Sequence, residues 1–226
     1  MSNTYEIEIK VLLGSEEKAK SLIEKMHKED GNINIKDSSN QLNHYFLRNG
    51  DFQKLYEKIS NYIESAKINE LHKILFQGKN HSIRTREANG KVIFVVKAVA
   101  DDTNAENGIA RLEFEAPVKI SLQDLDSLIL ESGFEYQSKW SRNRVEYNYK
   151  DFVVCIDKNA GYGYLAEFEK VINDFENIQM EKDSIVNELA VLGLEELQQD
   201  RLDRMFKYYN QNWPHYYGTN KTFNIE

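Results

Sequence analysis

The sequence predicts an α+β fold, in which a closed antiparallel β-barrel is lined by charged side chains and helices pack outside it. Two observations lead to this prediction. Strand-like segments repeatedly place charged residues on one face and apolar residues on the other, and helical segments lie between groups of them. If every apolar face packs against helices, the charged faces must converge on a lumen.

The first strand-like segment, NTYEIEIKVLLG (3–14), alternates strictly between apolar and charged residues. Its charged face carries Glu6, Glu8 and Lys10. Side chains two residues apart on a strand lie about 6 to 7 Å from each other, so the two glutamates repel unless a cation or solvent intervenes. Taken alone, this segment is typical of a solvated outer face.

The same alternation recurs in four later segments, which favours the charged lumen over a solvated face. The segments are HSIRTRE (81–87), ARLEFEA (110–116), SRNRVEY (141–147) and LAEFEKV (165–171). Their charged faces carry, in order, Arg84 and Arg86; Arg111, Glu113 and Glu115; Arg142, Arg144 and Glu146; and Glu167 and Glu169.

The other elements follow from local patterns. Ser15 is positioned to cap a helix that runs through Met26, and Asn-Gly at 89–90 is a hairpin signal. Helical spacing predicts further helices at 51–76 and 121–132, and over 183–209 with a break near Gly193. Strands are predicted at 41–48, 82–87, 91–99, 109–118, 142–149, 152–157 and 162–172.

Composition restricts the function. The 226 residues suffice for one domain with a sizeable core, and the net charge of −8 argues against a nucleic-acid partner. A single cysteine, Cys155, excludes an internal disulfide and a cysteine-rich zinc site, and it is expected to be a buried, inert thiol. No signal peptide or long apolar run is visible, so we expect a cytoplasmic protein without a membrane partner. We expect it to be a monomer or a homodimer.

A lumen with this mixture of charges suits one kind of ligand. Arginine and lysine form charge-assisted hydrogen bonds with phosphate oxygens, and clustered glutamates are hard oxygen donors for Mg²⁺ or Mn²⁺. About six cations exceed what a single phosphate needs, so the pattern favours a small molecule that contains a polyphosphate chain.

At this point the sequence resembles a known family. EIEIK matches the E-x-E-x-K signature of the CYTH superfamily, the triphosphate tunnel metalloenzymes, which include class IV adenylate cyclases, thiamine triphosphatases and tripolyphosphatases. QLNHYF, IRTR, a strand ending in Lys97, RLEFE, RNR, VCID and GYGYLAEFE follow in the family's order, over residues 5–172. The resemblance implies a single domain over 1–226, with an eight-stranded antiparallel barrel whose tunnel binds triphosphate and a divalent metal.

The resemblance also implies roles for individual residues. The expected metal ligands are Glu6, Glu8, Glu113, Glu115, Asp157, Glu167 and Glu169, among which Glu8, Glu167 and Glu169 rank highest. The expected triphosphate-binding residues are Lys10, Arg84, Arg86, Lys97, Arg111, Arg142 and Arg144. Lys10, Glu8 and Arg142 are the expected catalytic residues. For each arginine the alternative is an internal salt bridge to a facing glutamate.

Two features depart from the family pattern. The helical insert at 51–76 either selects a substrate or only packs outside the barrel, and Asn43 stands where many members carry aspartate. A helical tail at 181–226 follows the motifs. None of the five histidines has ligand spacing, and the tyrosines of the tail are expected to pack together.

The sequence leaves the reaction open. A metal-dependent hydrolase acting on inorganic, thiamine or nucleoside triphosphate is preferred, because every identifiable residue addresses phosphate or metal. A class IV adenylate cyclase, which forms cyclic AMP and pyrophosphate, is the alternative. A protein that binds triphosphate or polyphosphate without catalysis is a further one.

Overall fold

The computed structural model describes residues 5–99, 111–172 and 177–226. Within these ranges the chain forms eight strands and six α-helices, which confirms the predicted α+β class. The strands are β1 (Tyr5–Gly14), β2 (Asn34–Phe46), β3 (Lys79–Ala88), β4 (Lys91–Val99), β5 (Arg111–Val118), β6 (Tyr136–Tyr149), β7 (Phe152–Asn159) and β8 (Gly163–Ile172). The helices are α1 (Glu16–Glu29), α2 (Phe52–Ile59), α3 (Ile68–Gln77), α4 (Leu122–Glu131), α5 (Ile178–Val191) and α6 (Gln199–Asn212).

All eight strands belong to one sheet, with the order β1-β8-β7-β6-β2-β3-β4-β5. Neighbouring strands within β1-β8-β7-β6 and within β2-β3-β4-β5 pair in antiparallel fashion. In the described part of the chain, no ladder of backbone hydrogen bonds joins β1 to β5, the two strands at the ends of this order. Among the same residues, no helix is both long enough and apolar enough to cross a membrane.

The chain divides into two compact units. The first unit comprises Met1–Asn40 and Ser141–Glu226, and the second comprises Gln41–Trp140. The prediction of a single domain over 1–226 stays a prediction.

In the first unit, helices cover the apolar faces of the outer strands. Helix α1 contacts β1 and β8, and its buried residues Leu22 and Met26 lie on one stripe. As predicted, Ser15 caps α1, since its hydroxyl accepts a hydrogen bond from the Lys18 amide. In the tail, Tyr209 is fully buried and its ring packs against Tyr162, with centroids 5.9 Å apart, as the packing interpretation predicts.

In the second unit, α2, α3 and α4 pack with the apolar faces of the strands into one core. Leu55, Leu71 and Leu125 from the three helices, and Phe94 and Phe114 from β4 and β5, are all fully buried in it. The insert at 51–76 therefore packs on the face opposite the arginines of β3. Because its leucines are part of this core, the insert contributes to the stability of the unit.

The insert is not the continuous helix that its spacing predicts. Helix α2 ends at Ile59, and two short 3₁₀ turns precede α3. The Ser60 hydroxyl and the Asn61 amide donate to the carbonyl oxygens of Tyr56 and Glu57. These side-chain hydrogen bonds occupy carbonyl oxygens at the end of α2. They therefore compete with the backbone hydrogen bonds that would continue the helix.

Strand β2 is longer than the predicted segment 41–48, because it begins at Asn34. Its first five residues are exposed, and only Ile35 among them is apolar, so they show no alternation of apolar residues. Polar pairs hold this part of the strand instead: Asn148 donates to Asn34, and Lys36 lies 3.5 Å from Glu146.

The predicted hairpin turn at 89–90 and the predicted helix break near Gly193 are confirmed. Asn89 and Gly90 both have positive φ (49° and 78°) and join β3 to β4 in the two-residue turn that Asn-Gly predicts. Gly193 has a φ of 65° directly after α5, where its amide donates to the Ala190 carbonyl oxygen.

Candidate functional site

The first unit gathers seven of the predicted site residues on one face of the sheet. Register places Glu8 opposite Glu169 and Lys10 opposite Glu167, while Arg144 lies opposite Asp157. We call this set the first-unit cluster; it consists of Glu8, Lys10, Arg142, Arg144, Asp157, Glu167 and Glu169. Paired residues share a face, so the alternation seen in the sequence brings these charges together.

Arg144 is the centre of this cluster. Its guanidinium donates to both oxygens of Asp157, from Nε to Oδ1 and from Nη2 to Oδ2, each at 2.7 Å. Nη2 also donates to Glu167, and Nη1 lies 3.8 Å from Glu169 Oε1. Arg142 Nη1 donates to the same Asp157 Oδ2 at 2.8 Å. Asp157, with no exposed surface, therefore orients the two arginines.

Cations control the charge of Glu167. Burial by itself would raise its pKa, but Lys10, Arg144 and Arg142 outweigh burial and lower the pKa to about 2. Lys10 lies 3.4 Å from Glu167 and also pairs with Glu8. Glu8 of the EIEIK segment is thus paired with a lysine from the same strand, while the arginines of β6 pair with Asp157 and Glu167.

Carboxylates of this cluster fit a hard divalent cation. Ligand atoms of Glu167, Glu169 and Cys155 all lie within 4.8 Å of one another, and Glu8 stands opposite Glu169 in the ladder. Carboxylate oxygens suit Mg²⁺ or Mn²⁺, whereas a thiol does not. The donor set therefore fits the metal through its glutamates, with Cys155 as a neighbour.

Cys155 is fully buried, as predicted, but its surroundings are not apolar. It lies opposite Glu167 and Glu146 in the two adjacent ladders, and its Sγ is 3.6 Å from Glu169 Oε1. Burial raises the pKa of this thiol well above its ordinary value, so the thiolate is disfavoured despite the nearby Arg144.

The second unit holds a separate set of charges on one face of β3, β4 and β5. We call it the second-unit cluster; it consists of Arg84, Arg86, Lys97, Glu113 and Glu115. Lys97 lies 3.0 Å and Arg84 3.5 Å from Glu113 Oε1, and Arg86 lies 3.1 Å from Glu115. All three cations are largely buried next to carboxylates.

Two residues of β2 orient the arginines of this cluster. Arg84 Nη1 donates to the Tyr45 hydroxyl at 3.0 Å, and its guanidinium lies 5.6 Å from the centre of the tyrosine ring. Arg86 Nε donates to Asn43 Oδ1 at 3.1 Å. The asparagine that departs from the family pattern therefore still supplies an oxygen acceptor.

One donor of the second-unit cluster has no acceptor. Within the part of the chain that the structure describes, Arg84 Nε is buried without a hydrogen-bond partner. Burial opposes its charge, but Tyr45, Glu113 and Glu115 outweigh burial and raise the pKa of Arg84. A buried, fully charged guanidinium with an unused N–H is a ready donor to an anion.

The predicted site residues thus fall into two sets, one in each unit. The Glu6 and Arg111 backbones lie in β1 and β5, but their side chains lie outside the described residues. The internal salt bridges that were the alternative for each arginine are present. Every described arginine of the predicted set pairs with a carboxylate. The roles assigned to individual residues stay predictions.

Sequence reasoning missed a buried polar network in the second unit. Asp126 of α4 accepts hydrogen bonds from Thr85 at 2.6 Å and from Tyr136 at 2.7 Å, and its Oδ2 lies 2.6 Å from His44 Nδ1. One signal was available: Asp126 lies on the apolar stripe of its helix, where a lone carboxylate requires partners.

This network makes the stability of the protein depend on pH. Burial would raise the pKa of Asp126, but hydrogen bonds from His44, Thr85 and Tyr136 lower it below 3.8, and Lys139 Nζ lies 3.9 Å away. A carboxyl group whose pKa is lower in the folded state stabilises that state at pH values above its unfolded-state pKa. This contribution is lost as the pH falls through the folded-state pKa. We expect the free energy of unfolding to decrease below about pH 4, and to decrease less steeply in Asp126→Asn. Urea denaturation across this range measures both slopes, and equal slopes would contradict the assignment.

Comparison with known proteins places this fold among solved structures. No protein-family model matches the sequence, and no curated protein matches it either. PH1012 and PH1819 from Pyrococcus horikoshii OT3 each superpose with a TM-score of 0.58, at 16% and 18% identity. The matches cover 84% and 86% of this chain, and 91% and 94% of theirs.

A third similar structure is a Vibrio parahaemolyticus protein named as a candidate adenylate cyclase. It superposes with a TM-score of 0.57 at 14% identity, over 91% of this chain and 99% of that one. These likenesses show a common fold, and at that level the resemblance inferred from the ordered motifs is confirmed.

Proposed function

We propose, starting from this common fold, that the protein is a divalent-metal-dependent phosphohydrolase acting on triphosphate-containing substrates. The observation that carries the proposal is the buried Arg84 Nε without an acceptor, in a cluster where two more cations face carboxylates. A core of ion pairs alone would use this donor, because an unused buried N–H costs about 1 to 3 kcal/mol. A phosphate oxygen would satisfy it.

The residues divide into two kinds of role. The cations of each cluster bind phosphate oxygens and neutralise the charge that develops as a P–O bond breaks. In the second-unit cluster these are Arg84, Arg86 and Lys97; in the first-unit cluster they are Lys10, Arg142 and Arg144. Glu8, Glu167 and Glu169 would hold Mg²⁺ or Mn²⁺, which would supply Lewis-acid chemistry for the attack on the phosphoryl group. Lys10 lies between Glu8 and Glu167 and forms an ion pair with each.

The alternative is a class IV adenylate cyclase, and the name of the similar Vibrio parahaemolyticus structure favours an adenylate cyclase in general. Both reactions need cations for a triphosphate and carboxylates for metal. Cyclisation additionally requires that the ribose 3′-hydroxyl be placed in line with the α-phosphorus. The described clusters address phosphate and metal, so hydrolysis remains the first choice.

A panel of substrates separates these reactions. Purified protein is incubated with inorganic triphosphate, thiamine triphosphate, ATP and GTP, each with Mg²⁺ or Mn²⁺. We expect orthophosphate, with inorganic triphosphate among the better substrates. Cyclic AMP and pyrophosphate in equal amounts from ATP would establish the cyclase instead. Thermal stabilisation by triphosphate without any product would establish a binding protein.

The second-unit cluster should recognise the length of the phosphate chain. We expect Arg84→Ala to weaken the binding of inorganic triphosphate by about 10- to 100-fold, because charge-assisted hydrogen bonds contribute about 1.5 to 3 kcal/mol each. Binding of orthophosphate, which makes fewer contacts, should weaken much less. Calorimetry with both ligands measures the two losses. Lys91→Ala, an exposed substitution in the same unit, is the control, and equal losses for both ligands would refute recognition by chain length.

A further inference from the structure

A carboxylate bridges two strands behind the second-unit cluster. Thr85 Oγ1 donates to Asp126 Oδ1, while His44 Nδ1 lies against Oδ2, each at 2.6 Å. His44 of β2 and Thr85 of β3 stand directly opposite each other in the ladder. Each oxygen of the carboxylate is therefore bound by a different strand, and all three side chains are buried. We call this arrangement the Asp126 clamp.

The clamp lies between the two cross-strand pairs that orient the arginines. In the same ladder, Tyr45 stands opposite Arg84 and Asn43 opposite Arg86, one residue to either side of the His44–Thr85 pair. Both outer pairs are hydrogen-bonded, at 3.0 and 3.1 Å. Because side chains alternate along a strand, the clamp holds the strands from one face and the arginines project from the other.

The core face of β2 has a polar residue at its centre. In the ladder with β3, Leu42 and Phe46 pack against the apolar core, and His44 is buried between them on the same face. Because a slip of one residue moves every side chain of a strand to the other face, a partner that holds His44 on this face adds to what fixes the register. The central residue that β2 turns towards the core is His44, whose partner is Asp126.

We propose that Asp126 is a positioning residue for anion binding: it fixes β2 against β3 and thereby holds Arg84 and Arg86 in the geometry that binds phosphate. This inference rests on the proposed function for its ligand. Its structural part, the control of the two arginines by a carboxylate on the opposite face, does not depend on which reaction follows.

Two substitutions that each remove one hydrogen bond to the same carboxylate test the inference. Thr85→Val keeps the shape of the side chain but removes the donor from β3, between the two arginines. Tyr136→Phe keeps the ring, which stacks on Phe46, and removes a donor from β6. We expect similar losses of thermal stability, but a decrease in affinity for inorganic triphosphate of about 5- to 10-fold only in Thr85→Val. Equal affinity changes in the two variants, or no change in either, would overturn the inference.

A readout without ligand separates this inference from the proposed function. The ¹⁵N–¹H NMR signals of the Nε–Hε groups of Arg84 and Arg86 should shift or broaden in Thr85→Val and Asp126→Asn, and stay as in the wild type in Tyr136→Phe. Unchanged arginine signals in a folded Thr85→Val protein would refute the clamp. Failure of the wild type to bind triphosphate would refute the proposed function instead, and the arginine signals would still decide the positioning role. If Asp126→Asn does not fold, Thr85→Val alone decides.

Discussion

A Glu169→Gln variant is expected to keep its fold and to lose at least about 100-fold in metal-dependent turnover, as is typical when a group that stabilises transition-state charge is removed. The glutamine has the same size but lacks the negative charge that a divalent cation requires. Glu169 is largely buried in the first-unit cluster, close to Glu167, so the substitution weakens the proposed metal site at its centre.

Chelation provides the matching experiment for the wild type. Excess chelator should abolish the turnover of inorganic triphosphate, and Mg²⁺ or Mn²⁺ should restore it. Glu188→Gln is the matched control, because Glu188 of α5 is also a largely buried glutamate of the first unit but pairs with Tyr149 and Lys150 at the end of β6. Orthophosphate release that persists in excess chelator would exclude the metal from the mechanism.

Replacing Arg144 by alanine is expected to lower the free energy of unfolding by about 3 to 5 kcal/mol, the usual cost of breaking a buried ion pair on one side. Asp157 would lose the bidentate partner that binds both of its oxygens in a site without solvent access. Glu167 would lose a hydrogen-bond donor at the same time. Urea denaturation in the absence of metal and substrate measures the loss.

Arg142→Ala is the control for this prediction. Arg142 donates to one oxygen of the same aspartate, and its side chain is more exposed than that of Arg144. We therefore expect a clearly smaller loss of stability. Equal losses in the two variants would contradict the central role that the geometry gives to Arg144.

The faces of the strands were predictable because strand alternation is a local property. The segments around Glu8, Arg84, Glu113 and Glu167 each carry their charges with a period of two, and no knowledge of the fold is needed to see it. Helix α1 and the Asn89–Gly90 turn were predictable for the same reason, since caps and turns depend on a few neighbouring residues.

The limits of sequence reasoning appear where specific polar contacts override the average pattern of a segment. The insert at 51–76 is predicted as one helix from the spacing of its apolar residues, yet Ser60 and Asn61 end its first helix through side-chain bonds to the backbone. Strand β2 begins at Asn34 because polar partners on β6 hold residues that have no apolar pattern. In both cases specific polar interactions decide where the helix ends or the strand begins, and average residue propensities do not predict such interactions.

The sequence by itself determined which residues share a face of their own strand: the apolar faces that helices cover, and the charged faces that hold arginines, lysines and glutamates. Only the tertiary structure decided the partners within those faces. It placed Arg144 on Asp157, Glu8 opposite Glu169, and Asp126 between His44 and Thr85, which lie 82 and 41 residues from it. The physical reason is that alternation fixes direction locally, whereas register and ion pairing depend on which strand and which helix pack alongside, and no short segment contains that information.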